Sequence, residues 1–223
     1  ALDGIDLHLN PGDFVTIIGG NGAGKTTLMK LICGILKPRR GKIKTNGTVR
    51  YLVQNPLSIF TEITAEDELA VCCGRDPKAV EEMLEKMELT EFREQNPLDL
   101  SGGQQQRLAL GKVLLTKPEI LLLDEPTKGM DGGFKVKFGA MLRELKKQGI
   151  TTVLVSHDME FCAEYATYCG LMFDREIISF GPTREFFAEN VYYTTAAARM
   201  TRGILKDCLV AEDIMAALEK GRA

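Results

Sequence analysis

A glycine-rich segment between an apolar run and an amphipathic run constrains the fold more than any other feature of this sequence. The run Phe14 to Ile18 is bounded by Pro11-Gly12 and by glycines, as is typical of a buried parallel strand. Apolar residues recur at helical spacing after Gly24 and indicate a helix. The segment between them matches G-x-x-x-x-G-K-[ST] and consists of Gly19, Gly20, Asn21, Gly22, Ala23, Gly24, Lys25, Thr26 and Thr27. This order predicts a phosphate-binding loop; the alternative is a strand-to-helix turn that carries a lysine by chance.

Each residue type in this loop has a physical reason. Glycines allow backbone N–H groups to turn inward on phosphate oxygens, and the following helix adds the positive end of its dipole. We expect Lys25 to reach the β and γ oxygens of a nucleotide. The hydroxyl of Thr26 is the expected Mg²⁺ ligand.

Two carboxylates follow a second apolar run, Ile120 to Leu123. Ligand-binding groups lie at the carboxyl ends of strands in open α/β sheets. Asp124 is therefore expected to orient Mg²⁺ or its water shell, and Glu125 to polarise the attacking water as a general base. The alternative is a turn pair preceding Pro126.

Apolar strands alternate with amphipathic helices along most of the chain, which predicts an α/β fold with a mostly parallel sheet. The runs Val49 to Val53 and Thr151 to Val155 are further predicted strands, and Gly170 to Phe180 is a predicted closing hairpin across Asp174-Arg175. Helices are predicted around Val80 to Met87, from Ser101 onward, and from Phe138 to Leu145; short helical patterns follow Pro182.

Composition narrows the classes of partner and site. The formal charge of −3 and the pI near 5.6 do not provide the basic surface expected of a nucleic-acid binder, so no nucleic acid is expected. Two histidines and six cysteines without ligand spacing make a zinc site an unfavoured interpretation. No charged-then-apolar leader and no apolar run of about 20 residues is present, so we expect a cytosolic location with any membrane role provided by partner proteins.

The segment Leu100-Ser101-Gly102-Gly103-Gln104-Gln105-Gln106-Arg107 resembles the LSGGQ signature of ABC ATPases. The resemblance implies a P-loop NTPase (RecA-like) fold with ABC-type antiparallel β and α-helical subdomains, and it implies ATP and Mg²⁺ as cofactors. In that family Ser101, Gly102, Gly103 and Gln104 face the nucleotide of the other subunit. Ser101 is also a good helix N-cap on physical grounds, and the signature alone is compatible with a simple cap and hinge.

Three further positions resemble family motifs. Gln54 resembles the Q-loop glutamine, which also contacts the metal, Asp131 the D-loop aspartate, and His157 the switch histidine. The resemblance implies catalytic roles for all three. Taken singly, they are compatible with a polar strand end, a helix cap and a loop histidine.

The resemblance covers roughly residues 1–181, with a helical subdomain expected at about 66–106 and a C-terminal helical extension at 182–223. It implies a second ABC ATPase subunit as partner, identical or different, together with transmembrane transporter subunits, at the cytoplasmic face of the cell membrane. The family's adenine-stacking aromatic residue is expected upstream of the segment that begins at Ala1.

The Q-loop region Gln54-Asn55-Pro56, with Phe60-Thr61 and Glu66 to Ala70, is similar to that of energy-coupling-factor ATPases, which serve vitamin and metal importers. The tail from Phe186 through Tyr192 to Met200 is similar to one of their paired forms, although helical packing alone could explain it. The rival hypothesis is a non-transport ABC ATPase acting on ribosomes or DNA. The acidic pI and the absence of a heptad tract between Thr45 and Leu100 favour the transporter.

Overall fold

The computed structural model describes residues 2–190, 193–205 and 208–221 of the chain. The chain divides into two compact units, one formed by Ala1–Leu28 with Phe138–Ala223 and the other by Met29–Lys137. The loop between Ile18 and Lys25 and the segment around His157 belong to the first unit, and the segments around Gln54, Ser101 and Asp124 belong to the second.

The first unit is built on parallel strands that end in a hairpin. Strand β1 (Phe14–Ile18) leads to helix α1 (Lys25–Ile32). After the segment that forms the second unit, the chain continues with strand β4 (Thr151–Val155), helix α6 (Met159–Tyr165), strand β5 (Tyr168–Phe173) and strand β6 (Glu176–Pro182). β1 pairs in parallel with both β4 and β5, and β5 pairs antiparallel with β6. All five residues of β1 and of β4 are buried, in agreement with the apolar pattern of their sequences.

The predicted hairpin is confirmed. Asp174 and Arg175 connect β5 to β6 with φ values of 43° and 75°, the left-handed conformation that a two-residue type I′ turn requires. Among the described residues, this hairpin is the antiparallel pairing of strands, and residues 33–48 form no helix or strand.

The second unit combines a parallel strand pair with helices. Strand β2 (Val49–Leu52) pairs in parallel with strand β3 (Ile120–Asp124). Helices α2 (Ala65–Ala70), α3 (Pro77–Lys86) and α4 (Gly102–Leu115) pack against one another, with short 3₁₀ turns at Pro56–Ile59, Thr90–Phe92 and Pro97–Asp99. Their core contains Leu69, Leu84, Met87 and Leu108, all with no measurable exposure. Helices therefore form where the helical subdomain was expected, although its boundaries at 66–106 stay a prediction.

Helix α5 (Gly132–Lys147) follows β3, and three short helices occupy the C-terminal segment: α7 (Thr183–Glu189), α8 (Ala196–Thr201) and α9 (Ala211–Gly221). Phe186 and Phe187 are buried and meet edge to face at 5.3 Å. Tyr192, part of the predicted tail, and Ala1 lie outside the described residues. Within the described ranges, no helix has the length and hydrophobicity needed to span a membrane.

Candidate functional site

The loop between β1 and α1 depends on glycine at two closely packed positions. Gly19, Gly22 and Gly24 have φ values of 148°, 79° and 109°, which side-chain-bearing residues rarely adopt. A Cβ on Gly19 would lie 2.1 Å from the carbonyl oxygen of Met172, and one on Gly24 would lie 2.4 Å from Cδ2 of Leu2. The Met172 carbonyl is backbone and cannot move aside, so Gly19 is required for this approach, whereas the Leu2 side chain can move and Gly24 is favoured mainly by its positive φ.

Lys25 begins α1 and lies under the curled loop. Its ammonium group donates hydrogen bonds to the carbonyl oxygens of Gly19 at 2.8 Å and Gly20 at 2.9 Å, and the residue is 7% exposed. These contacts hold the ammonium at the loop, where charged phosphate oxygens would bind it more strongly than carbonyl oxygens do. Thr26 follows in the first turn of α1, where the helix dipole favours an anion.

His157 lies in the same unit as the loop. It follows β4, whose last residue, Val155, is aligned with Ile17 near the end of β1. The loop and His157 thus both follow the carboxyl ends of adjacent parallel strands. The flanking Asp158 caps α6, since its carboxylate accepts the amide of Phe161 at 3.1 Å, and this places His157 in a short exposed turn.

In the second unit, the carboxylate pair is at the end of β3 as predicted. Asp124 is the last residue of the strand and is 1% exposed. Glu125 follows with a φ of 54°, an uncommon conformation for a non-glycine residue that is found disproportionately at functional sites. The residue pattern did not indicate this conformation.

Sequence reasoning missed the contact between Tyr51 and Asp124. Its hydroxyl donates a hydrogen bond to Oδ2 of Asp124 at 2.9 Å. Burial, followed by the charge of Asp124 and this hydrogen bond, raises the pKa of Tyr51 well above its ordinary value. The available signal was a tyrosine on the strand beside β3, three residues before Gln54.

Gln54 itself is exposed, and Asn55 after it caps the 3₁₀ turn by accepting the amide of Leu57 at 3.2 Å.

Ser101 caps α4 as predicted. The Ser101 amide donates to the side-chain oxygen of Gln104 at 2.8 Å, while the amide of Gln104 donates to the Ser101 hydroxyl at 3.4 Å, forming a capping box. A Cβ on Gly103 would lie 2.6 Å from the carbonyl oxygen of Gly129. Gly103 is therefore needed for the close approach of α4 to the turn before Asp131, and the exposed Ser101 and Gly102 present the helix N-terminus outward.

Asp131 is exposed and caps α5. Its Oδ1 accepts the amide of Phe134 at 2.9 Å, and this hydrogen bond is the main cause of the lowered pKa of Asp131. Arg107, on α4, lies 3.9 Å from the Asp131 carboxylate and 3.4 Å from that of Glu88, with its guanidinium 5.0 Å from the Phe134 ring centre. The cap interpretation of Asp131 thus holds locally, while its predicted catalytic role stays a prediction.

The oxygen donors named for magnesium suit that ion chemically. A carboxylate, a hydroxyl and an amide oxygen, from Asp124, Thr26 and Gln54, are the hard ligands that Mg²⁺ prefers. Asp124 is also held at a strand end with a defined hydrogen-bond partner. The two compact units each present part of the predicted set: the glycine loop and His157 in one, and Gln54, Ser101, Asp124, Glu125 and Asp131 in the other.

Comparison with known proteins gives concordant matches. Residues 2–128 match the family model described as ABC transporter. An ABC transporter ATP-binding protein of Bacillus thuringiensis subsp. konkukian is 39% identical over 96% of this chain, and one of Pyrococcus furiosus is 35% identical over 84% of this chain and 79% of its own length. The chain spans only 42% of the Bacillus relative.

Solved structures match at the level of the fold. The MJ0796 ATP-binding cassette, a dimer in a post-hydrolysis state with ADP and Pi, aligns with a TM-score of 0.75 at 25% identity, covering 82% of this chain and 90% of that one. The cbiO1 protein of Clostridium perfringens, part of the ABC transporter complex cbiONQ, aligns with a TM-score of 0.74 at 28% identity, covering 85% and 84%. The predicted P-loop NTPase fold is confirmed by these cassettes, and the chain belongs to the ABC transporter family of ATP-binding proteins.

Proposed function

We propose that this chain is the ATP-binding and ATP-hydrolysing cassette of an ABC transporter. The observation that carries the proposal is the glycine loop closed over Lys25, whose ammonium donates to Gly19 and Gly20 at 2.8 and 2.9 Å. The loop amides, the N-terminus of α1 and Lys25 together supply the positive field and the hydrogen-bond donors that a triphosphate requires. Family membership and the post-hydrolysis state of the MJ0796 cassette support the same activity.

Hydrolysis is assigned to the predicted catalytic and metal-binding side chains of the two units. Thr26, Asp124 and Gln54 would hold Mg²⁺, which would supply positive charge to offset that of the triphosphate. Glu125 orients the attacking water and accepts its proton, and His157 contacts the γ-phosphate region. Asp131 and Gln54 help to order the polar groups that surround the attacking water. Catalysis then rests on positioning and charge stabilisation rather than on a covalent intermediate.

The test of hydrolysis is Glu125→Gln, which keeps the shape of the side chain and removes its basicity. Single-turnover phosphate release should slow by about 10²-fold or more, while ATP affinity is retained. Glu119→Gln is the matched control, because Glu119 precedes β3 and its Oε2 accepts the amide of Thr48 at 2.7 Å, which glutamine can also do. A wild-type rate in folded, nucleotide-saturated Glu125→Gln protein would remove the base assignment.

The same site is proposed to be shared between two cassettes. Ser101 and Gly102 are exposed at the N-terminus of the 14-residue helix α4, so they can offer donors to the γ-phosphate held by the loop of a second cassette, identical or related. ATP would stabilise the closed pair and hydrolysis would release it. The dimeric state of MJ0796 supports this arrangement.

Intersubunit cross-linking tests the shared site. Cysteines are placed at the exposed Asn21 of one cassette and at Ser101 of the other, in a background without the half-exposed native cysteines. ATP should enhance the cross-link and Glu125→Gln should trap it. Equal cross-linking with ATP, with ADP and without nucleotide would contradict the shared site.

The transporter is proposed to be an importer of the energy-coupling-factor type, with this cassette held peripherally at the cytoplasmic face of the membrane. Support comes from the Gln54-Asn55-Pro56 motif and from the similarity to cbiO1, which is part of a cbiONQ complex. Exposed apolar side chains flank the Q-loop and the signature helix, with Leu57 42%, Ile63 76% and Leu98 65% exposed, and they suit docking of transmembrane subunits. Co-purification of a complex containing membrane subunits is expected. Co-purification with ribosomes or DNA instead would favour the non-transport alternative.

A further inference from the structure

Tyr51 connects two segments that the proposed function uses for the same ion. It lies on β2 opposite Leu122 of β3, and its hydroxyl donates to Oδ2 of Asp124 at 2.9 Å. Strand β2 ends at Leu52, and the chain reaches Gln54 two residues later. One half-buried tyrosine is therefore bound to the Asp124 carboxylate while its own strand leads into the Q-loop.

The chemistry of this contact is directional. The phenol hydroxyl of Tyr51 is the donor in this contact, and the Asp124 carboxylate is the acceptor. A hydroxyl donating to a carboxylate makes a charge-assisted hydrogen bond. Such a bond at one oxygen restricts rotation of the carboxylate about its Cβ–Cγ bond. Groups that orient a metal ligand in this way commonly change metal affinity by about 10- to 100-fold when they are removed.

We propose that Tyr51 is a positioning residue, which sets the orientation of the Asp124 carboxylate toward the magnesium ion of bound Mg-ATP. It also holds that carboxylate at a fixed place relative to β2, the strand that leads into the Q-loop. This inference rests on the proposed function, because it presumes that Asp124 contacts the ion. It adds a residue that acts on the site through its hydrogen bond to Asp124.

The test is Tyr51→Phe in the full chain, which retains the ring and removes only the hydroxyl. Mn²⁺ serves as the probe, with the protein in excess over ATP so that no free nucleotide chelates the ion, and its binding is followed by the loss of the electron paramagnetic resonance signal of the free ion. Tyr51→Phe should weaken Mn²⁺ binding about tenfold, the lower end of the range for such groups. Affinity for ATP measured in EDTA should stay within about twofold, since the phosphate loop is untouched.

Two comparisons separate positioning from a general structural role. Tyr168→Phe is the matched control, because Tyr168 begins β5 with its ring stacked on Phe180 at 5.8 Å and should leave Mn²⁺ binding unchanged. In an Asp124→Asn background, Tyr51→Phe should cause no further loss of Mn²⁺ affinity, because an effect transmitted through a carboxylate vanishes without it.

The outcomes are distinct. Wild-type Mn²⁺ affinity in Tyr51→Phe, or a loss that persists fully in the Asp124→Asn background, overturns the proposal. A lower melting temperature with unchanged Mn²⁺ affinity also overturns it and leaves the hydroxyl a purely structural group. Absence of ATP and Mn²⁺ binding in the wild-type protein would instead overturn the proposed function, and this inference with it.

Discussion

A buried ion pair between Glu68 and Lys112 provides the sharpest test of how the second unit is held together. Glu68, on α2, has no measurable exposure, and the Lys112 side chain, on α4, is 13% exposed. The Glu68 carboxylate accepts the amides of Thr61 and Glu62, the latter at 2.5 Å, and also accepts from the Lys112 ammonium. Lys112 in turn donates to the carbonyl oxygen of Ile59 at 2.5 Å. The pair thus fixes the segment after the Q-loop to the signature helix.

Removal of one member should cost much more than the loss of an ordinary contact. Glu68→Gln keeps an acceptor for the two amides but leaves the Lys112 charge uncompensated in a poorly hydrated place, and breaking a buried pair in this way costs about 3–5 kcal/mol. Domains are typically stable by only about 5–15 kcal/mol, so a substantial share of stability should be lost. For a chain of this size, about 3 kcal/mol corresponds to a fall of roughly 6–12 °C in melting temperature.

Urea denaturation followed by circular dichroism measures the free energy of unfolding of Glu68→Gln, Lys112→Met and the double variant. The double variant should cost less than the sum of the two single changes, because neither charge is then left alone. Glu82→Gln is the control, since its pair with Lys78 is exposed at 68% and 87% and should contribute less than about 1 kcal/mol. A loss below about 1 kcal/mol for Glu68→Gln, or strict additivity of the two changes, would refute the reasoning.

Two further predictions concern a glycine of the phosphate loop and a buried cysteine. Gly19→Ala should lower the free energy of unfolding by about 2 kcal/mol or more, because its Cβ would lie 2.1 Å from the Met172 carbonyl oxygen. Gly20→Ala is the control, since a Cβ there has no neighbouring atom within 4 Å and the change should be close to neutral. Urea denaturation of both variants measures the difference. Burial raises the pKa of the Cys169 thiol from 9.0 to about 12. The stability that comes from burying the neutral thiol is therefore fully present below pH 9 and is lost as pH rises toward 12. Stability should therefore decline less steeply between pH 9 and 12 in Cys169→Ala than in the wild type, and parallel declines would contradict this.

Elements defined by local patterns were predicted well from the sequence. The strands at Phe14–Ile18 and Thr151–Val155 agree with their predicted bounds because glycine or proline limits each short apolar run. Ser101 was recognisable as a cap because small polar side chains satisfy the first helical amides, and the structure adds the reciprocal bond from Gln104.

Features that depend on distant residues were not predictable in this way. The Tyr51 contact with Asp124 joins residues 73 positions apart, and the Glu68 contact with Lys112 joins residues 44 apart. Periodicity indicates which face of an element is buried, but it does not specify which polar groups meet across the core. The left-handed conformation of Glu125 was missed for a related reason, since glutamate has no intrinsic preference for it and tertiary packing must impose it.

The most direct test of the whole account is a calorimetric titration of Mg-ATP into the wild-type protein and Lys25→Ala at fixed salt and Mg²⁺. Lys30→Ala is the control, because Lys30 is in the last turn of the same helix. Lys25→Ala should lose affinity by about 100-fold or more while Lys30→Ala binds like the wild type, since only the former removes the ammonium under the loop. Wild-type affinity in folded Lys25→Ala protein would contradict the assignment of the loop as the phosphate site.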